Sequence, residues 1–265
     1  MRILILGDVV GQPGRRAVRD LVPMLVDRER IDLVIANAEN AAGGMGVDVK
    51  SAEELFAGGV HVLTSGNHIW KKKEIYPYLE THPALLRPAN YPDGAPGRGW
   101  LEWENEAGLR GLIINVQGRV FMPSHVGDPF RCVDGILRGL GGHSPVVIVD
   151  LHAEATSEKN AMGWFLDGRV SAVYGTHTHV QTADERILPK GTAYITDIGM
   201  CGPMDSVIGI DKEVVIEGFL SQLPCRFDVA KENVMLQGAV LEVDGTSGRA
   251  LDIRRLRIPW QRREV

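Results

Sequence analysis

Cysteine is scarce in this chain. Cys132, Cys201 and Cys225 are the only three in 265 residues, they lie far apart, and no Cys-x-x-Cys occurs. That argues against a disulfide framework and a thiolate metal cluster, and makes a reducing cytoplasm the expected compartment. Long apolar runs are also missing. Residues 1–6 are too short for the apolar core of a signal peptide, and Asp8 interrupts them. No stretch is long enough to cross a bilayer, so no membrane association is expected. Positive charge is not in excess: 29 Lys and Arg face 34 Asp and Glu, a net charge of −5. This weighs against a broad grip on duplex nucleic acid while leaving room for a small phosphorylated ligand. Familiar nucleotide loops are absent too. Gly7-x-x-x-Gly11-x-x-Gly14 has the wrong spacing for a dinucleotide fingerprint and is broken by Pro13, and no Gly-Lys-Ser/Thr occurs. His152-Ala153-Glu154 matches the first half of a zinc deaminase signature. After Pro224-Cys225, however, Asp228 stands where the second Cys is required.

What is present reads as alternating strands and helices. With 44% apolar and 24% charged residues, the chain has a folded composition and the length for one sizeable core, so a single domain over 1–265 is expected. Apolar runs at 2–6, 32–37 and 60–65 read as buried strands, separated by helical patterns at 13–30, 50–57 and 71–80. Pro23 falls inside the first helical pattern and is expected to kink or divide it. Residues 99–105 and 109–116 read as a hairpin, 129–140 as a helix, and 146–151, 170–175 and 193–198 as further strands. Ser157 is a plausible cap for a helix over 157–166, and 211–222 also reads as helical. The tail, 234–243 and 250–258, forms a hairpin around Asp244-Gly245. This order implies two stacked mixed sheets flanked by helices, a four-layer α-β-β-α sandwich in the α/β class.

Polar residues of one chemical type follow these buried runs. Asp8 follows the first. Glu39 and Asn40 follow the second, ahead of a glycine-rich loop. Gly66-Asn67-His68 follows the third, His152 the run at 146–151, and His177-Thr178-His179 the run at 170–175. In parallel sheets, sites form at the carboxyl ends of strands, so these five ends can converge. Imidazole, carboxylate and amide oxygen suit divalent zinc, iron, manganese or cobalt. His177 and His179 are two apart, which puts both rings on one side of an extended segment. Glu39 sits among small apolar residues, an odd position for an uncompensated charge. Two metals about 3.5–4 Å apart, bridged by a carboxylate, need roughly this many ligands and would suit hydrolysis of a phosphate ester. Taken singly, each piece has a bland alternative: Asp8 as a helix cap, Asn67 as a turn residue, His-x-His as polar residues on an exposed strand. The repetition strand by strand is what favours a site. His61, His82, His125 and His143 lack such context and are taken as structural, although the loop over 122–129 that holds His125 could cover a substrate.

These residues resemble the motifs of the calcineurin-like metallophosphoesterases: a strand-terminal Asp, a second carboxylate, Gly-Asn-His, a lone His, and a final His-x-His. Three departures stand out. Val10 occupies the place of the usual Asp-x-His histidine, Glu39 after Ala38 replaces Gly-Asp, and Thr176 is inserted before His177. With "AENAAGG" and "DLHAEATSEK", this variant set is similar to one bacterial branch, the YmdB-like 2′,3′-cyclic-nucleotide phosphodiesterases. The resemblance implies two metal ions per chain, iron with manganese as the alternative. Asp8, Glu39, Asn40 and His179 would hold one, Asn67, His152 and His177 would complete the other, and Glu39 would bridge. It implies His68 as general acid, attack by metal-activated hydroxide, and a small 2′,3′-cyclic nucleotide opened at the 2′-oxygen. The amide of Asn40 would replace the imidazole lost at Val10. A phosphomonoesterase on the same metals and a non-catalytic regulator of RNA metabolism are the alternatives, and self-association is possible.

Overall fold

The computed structural model describes residues 1–105, 107–123, 125–141 and 145–261. In chain order the first half holds β1 (Arg2–Leu6), β2 (Asp8–Val9), α1 (Gly11–Glu29), β3 (Leu33–Asn37), α2 (Val49–Ala57), β4 (Val62–Thr64), α3 (Ile75–Thr81), β5 (Trp100–Glu104) and β6 (Arg110–Gln117). The second half holds α4 (Pro129–Gly139), β7 (Val146–His152), α5 (Thr156–Leu166), β8 (Ala172–Thr176), β9 (Arg186–Ile187), β10 (Ala193–Ile195), β11 (Met200–Pro203), α6 (Lys212–Ser221), β12 (Val234–Val243) and β13 (Ala250–Pro259).

Strand alternation decides the layering. Along β1, Leu4 and Leu6 point to one face and join Val18, Val22 and Leu25 of α1 and Leu55 of α2 in one apolar cluster. Ile3 and Ile5 point to the other face and meet Ile113, Ile148, Ala172 and Ile195 of the second sheet. That second sheet turns Ile114, Val149 and Leu151 outward against Val133 of α4 and Met162 and Leu166 of α5. The order is therefore helix, sheet, sheet, helix, the expected α-β-β-α sandwich. Strands buried on both faces explain why β1, β3 and β7 read as nearly continuous apolar runs.

One sheet runs β2-β11-β12-β1-β3-β4, with β13 also paired to β12, and the other runs β5-β6-β7-β8-β10-β9. β1, β3 and β4 are mutually parallel, as are β6, β7 and β8. Each trio therefore ends at one edge of its sheet, and the two edges meet at the same end of the sandwich.

Three local expectations change. Helix α1 runs unbroken through Pro23, which is exposed. On the solvent face, the carbonyl that the missing N–H leaves free is open to hydration. The helix expected at 71–80 is a 3₁₀ turn at Ile69–Lys71 followed by α3. The cap position of α5 falls on Ala155, with no side-chain cap, rather than on Ser157. The short strands β2, β9 and β11 have too few residues to show a period in the sequence.

Candidate metal centre

All eight residues singled out from the sequence come together, each delivered by a strand end. Asp8 and Glu39 are completely buried. Around them, His152 Nε2 lies 3.1 Å from Asn67 Oδ1 and 3.6 Å from Glu39 Oε1. His177 Nδ1 is 3.1 Å from His152 Nε2, and the backbone N–H of His177 donates to Asp8 Oδ2 at 3.1 Å. His179 Nε2 lies 3.8 Å from Asp8 Oδ1. The backbone N–H of His68 donates to Glu39 Oε1, and its Nδ1 is 3.2 Å from the same oxygen. The amide of Asn40 fits its neighbours when its nitrogen donates to the Gly44 carbonyl and to His68 Nδ1, both at 3.1 Å. Its oxygen then faces His179 Nε2 at 3.0 Å.

A layer of polar groups that the sequence reading missed holds this cluster in place. Asp150, fully buried, accepts hydrogen bonds from Asn37, Thr64 and Thr176. Because the Thr176 hydroxyl donates to Asp150, it accepts from His152 Nδ1 at 3.0 Å. That fixes the His152 proton on Nδ1 and leaves Nε2 as a lone-pair donor facing the cluster. Thr176, an insertion relative to the superfamily motif, is thus the link between a buried carboxylate and a ligand candidate. Asp197 does the same for the last two histidines. Its carboxylate accepts from Lys159 Nζ at 2.8 Å, from the Thr178 hydroxyl at 2.7 Å and from the Gly199 N–H at 2.8 Å. Lys159 is 2% exposed and Asp197 not at all. Thr178 is held between His177 at φ 93° and His179 at φ 64°, both in the left-handed region that non-glycine residues avoid. The buried ion pair stabilises that turn. Glu154, raised by the deaminase comparison and set aside, lies 3.2 Å from His177 Nε2. It orients the ring so that Nδ1 faces inward.

The electrostatics call for a cation. Burial, reinforced by Asp197, raises Asp8 to about 8, and burial raises Glu39 well above its ordinary range. Burial also raises Asp150 to about 7. The imidazoles move the other way. Burial, with His179 and other nearby cations, lowers His177 to about 4, and burial with Lys71 and His179 lowers His68 to about 4. His152 falls well below its ordinary value for similar reasons. The neutral imidazoles are ready to bind a metal, whereas the raised carboxyls would release their protons on binding one. Two oxygens decide the fit: Asp8 Oδ1 and Glu39 Oε2 are buried with no hydrogen-bond partner among the described residues. An ionised carboxylate with such an oxygen needs a cation beside it, and without one the group takes up a proton instead. Among the described residues, no three His, Cys, Asp or Glu side chains form a preassembled cage. The donor atoms instead touch one another, as His152 Nε2 and His177 Nδ1 do. The donor set fits hard or borderline divalent ions, with Asp8, Glu39, Asn40, Asn67, His152, His177 and His179 as the groups that would hold them.

A family model for YmdB-like proteins matches residues 4–256. The chain belongs to the YmdB-like family. It is 48% identical over 258 residues, 97% of each chain, to a protein of Bacillus subtilis named 2′,3′-cyclic-nucleotide 2′-phosphodiesterase. Among solved structures it is similar to a hypothetical protein of Thermus thermophilus, at 44% identity and a TM-score of 0.91 over 98% of this chain and 99% of that one. It is equally similar in fold to a structure described as a novel phosphatase from Mycoplasma pneumoniae. That match has 38% identity and a TM-score of 0.91, covering 98% of this chain and 93% of that one. Membership is consistent with the sandwich layering.

Among the other histidines, His61 accepts from the Val34 N–H at 2.9 Å and His82 stacks on Tyr78, so both have structural work. His125 is exposed. His143 lies outside the described residues.

Proposed function

We propose that this protein hydrolyses a 2′,3′-cyclic nucleotide phosphodiester to the 3′-phosphate, using two divalent ions, iron or manganese, at the cluster built on Asp8 and Glu39. The observation that carries the metal reading is the pair of orphaned oxygens, Asp8 Oδ1 and Glu39 Oε2, buried opposite the imidazoles. The cyclic phosphodiester is supported by the name of the B. subtilis relative. When bound, such a metal pair lowers the pKa of a water molecule and clamps phosphoryl oxygens.

The residues divide by their contacts. Asp8, Asn40 and His179 are assigned to one ion, Asn67, His152 and His177 to the other, and Glu39 to the bridge. The contacts of Asn40 with His179 and of His152 with Asn67 and His177 support the division, although the His177 N–H also reaches Asp8. His68 is assigned to protonate the leaving 2′-oxygen. The Asn40 amide nitrogen donates to His68 Nδ1, which keeps the ring proton on Nε2, available to a substrate. Burial holds His68 neutral at neutral pH in the free protein. For the acid role the ring must take up a second proton at Nδ1, and the amide bond there then gives way to one donated to Glu39 Oε1, 3.2 Å away. A cytoplasmic setting fits the three free cysteines. No helix among the described residues is long and apolar enough to cross a membrane. Self-association is supported by α6, which buries none of its residues and exposes Phe219 and Leu220.

The test is turnover of 2′,3′-cyclic AMP, 3′,5′-cyclic AMP and a phosphomonoester by metal-loaded protein. Metal-dependent turnover of the first is expected. Preference for the monoester would replace the phosphodiesterase reading by a phosphomonoesterase, and no turnover of any would leave a regulator. His68→Ala should keep its metals and lose rate, and loss of metal instead would refute the acid assignment.

A further inference from the structure

A cavity of about 620 Å³ opens beside the metal centre, with His179 as part of its wall. Met200, Met204 and Ile208 give it an apolar side, Gln181 and Gln237 line it with amides, and Arg255 and Arg257 of β13 stand at its rim. It adjoins the proposed site through two residues: His179 itself, and Ile208, whose carbonyl accepts from His179 Nδ1 at 2.8 Å. An apolar wall with a few convergent polar groups is the make-up of a small-molecule site.

Sheet register measures how far the rim lies from the metals. Asp8 pairs with Met200 on β11, β11 pairs with β12, and Gln237 of β12 pairs with Arg257 of β13. Three strand spacings separate Asp8 from Arg257, about 14 Å between backbones. His179 and Arg257 line the one cavity across this span, which leaves room for a nucleotide between the metal centre and the arginine. The charges on β13 single out one residue. Arg254 is paired with Glu29 and Arg255 with Glu185. Arg257 has no carboxylate partner among the described residues, so its charge is available in a chain whose net charge is −5.

The geometry points to a second phosphate subsite, in which Arg257 takes the phosphate on the 5′ side of the cyclised nucleotide while Met200, Met204 and Ile208 flank the intervening nucleoside. The substrate class is then a 2′,3′-cyclic phosphate on a nucleotide that also carries a 5′-phosphate, or at the 3′ end of an oligoribonucleotide, in preference to a bare cyclic nucleoside monophosphate. This assignment rests on the cyclic-phosphodiester reading above. Arg257 acts here by binding and plays no part in the bond-breaking step.

The experiment compares kcat/KM of metal-loaded protein on adenosine 2′,3′-cyclic phosphate, its 5′-phosphorylated form, and the dinucleotide ApA ending in a 2′,3′-cyclic phosphate. One charge-assisted contact predicts an advantage of roughly 10-fold or more for the phosphorylated substrates, expressed mainly in KM. An advantage confined to the 5′-phosphorylated mononucleotide assigns the subsite to a free 5′-phosphate, and one shared by the dinucleotide assigns it to RNA ends. Arg257→Gln should bring the ratio back toward one. Turnover of all three at equal efficiency, or a ratio that survives Arg257→Gln, overturns the subsite while leaving the phosphodiesterase reading in place. If none is turned over, that reading fails, and equilibrium binding decides the subsite separately. Adenosine 3′,5′-bisphosphate should then bind more tightly than 3′-AMP, with the difference lost in Arg257→Gln, and equal binding of the two overturns it.

Discussion

Gly66→Ala isolates the geometry of the metal centre with a single methyl group. Gly66 does not sit in the left-handed region that favours glycine, so the obstacle to a side chain there is space, and the space is taken. A Cβ there would sit 2.0 Å from His152 Cδ2, 2.2 Å from Nε2 and 2.4 Å from Cγ. Ordinary contact begins near 3.4 Å, so ring or backbone must yield by about 1.4 Å. The ring has nowhere to go: His152 is fully buried and its Nδ1 is tied to Thr176. Metal–ligand distances hold to within about 0.2 Å, so a displacement of this size removes His152 as a donor. Metal affinity should fall by at least the roughly 10–100-fold that losing a supporting contact costs, and turnover by about 100-fold or more. Overpacking should cost about 1–3 kcal/mol, a Tm loss of about 2–12 °C for a chain of this size. Elemental analysis in a metal buffer and a thermal scan measure these effects, with Gly135→Ala, where a Cβ meets nothing within 4 Å, as the control. If Gly66→Ala binds metal with wild-type stoichiometry and affinity, His152 is not a ligand and the site has been drawn wrongly.

Three other changes probe different layers of the same site. Asn40→Ala should weaken the ion shared by Asp8 and His179 and leave the one shared by Asn67, His152 and His177. Occupancy would approach one ion per chain, and equal loss at both positions, or none, would contradict the division. In metal-free protein, the folded pKa of Asp8 is raised to about 8, above its ordinary carboxylate value. The folded state then binds the proton more tightly than the unfolded chain does, so stability is greatest at low pH and falls between about pH 4 and 8. Below about pH 6.5 the depressed imidazoles of His68, His152 and His177 act in the opposite sense, so the apo Tm should decline between about pH 6.5 and 8, where only the raised carboxyls titrate. Metal binding should release protons, and the stabilisation by metal should grow with pH across that upper window. An apo Tm that rises from about pH 6.5 to 8 would reject the assignment of Asp8 as a carboxyl group buried without a cation. Asp197→Asn leaves Lys159 buried without its counter-charge and should cost about 3–5 kcal/mol, measured by denaturant unfolding. Combining it with Lys159→Met should recover part of that loss. A single-variant cost below about 1 kcal/mol would mean that the pair does not hold the His177–His179 turn.

The ligand candidates were legible because each breaks a rule that its surroundings set. Asp8, Glu39 and His152 are polar residues at the ends of apolar runs, and parallel topology carries all such ends to one place. The supporting layer obeys no comparable rule. Asp150 sits inside the run at Val146–His152 and looks like a flaw in a buried strand. Its partners, Asn37, Thr64 and Thr176, are 26 to 113 positions away and are joined to it only by strand order. Lys159 lies on a helix, where lysine ordinarily marks the solvent face, and nothing local announces that it is buried against Asp197. Helix α1 is not divided at Pro23 for the related reason that a proline's effect depends on which face it occupies. Contacts made within a strand and its following loop leave a sequence trace, whereas contacts made between strands depend on register, which the sequence alone did not reveal.

Val10 shows how the two kinds of contact are exchanged. By superfamily pattern it stands where an imidazole should point at the metal, yet its side chain is buried. Cβ atoms built on Gly202 and Gly209 would meet Val10 at 3.0 and 2.7 Å, so this valine fills the space beneath the segment that carries Ile208. Ile208 in turn accepts the Nδ1 hydrogen bond that points His179 Nε2 at Asp8. The backbone of Val10 bridges Asn40 in parallel pairing, and the N–H of Gly11 donates to the Asn40 carbonyl at 2.9 Å. The residue that displaces the histidine therefore positions both its proposed replacement, Asn40, and the next ligand, His179. Restoring the histidine alone should consequently fail: Val10→His would place a ring against Gly202 and Gly209, shift the Ile208 carbonyl, and weaken the His179 position that it was meant to reinforce.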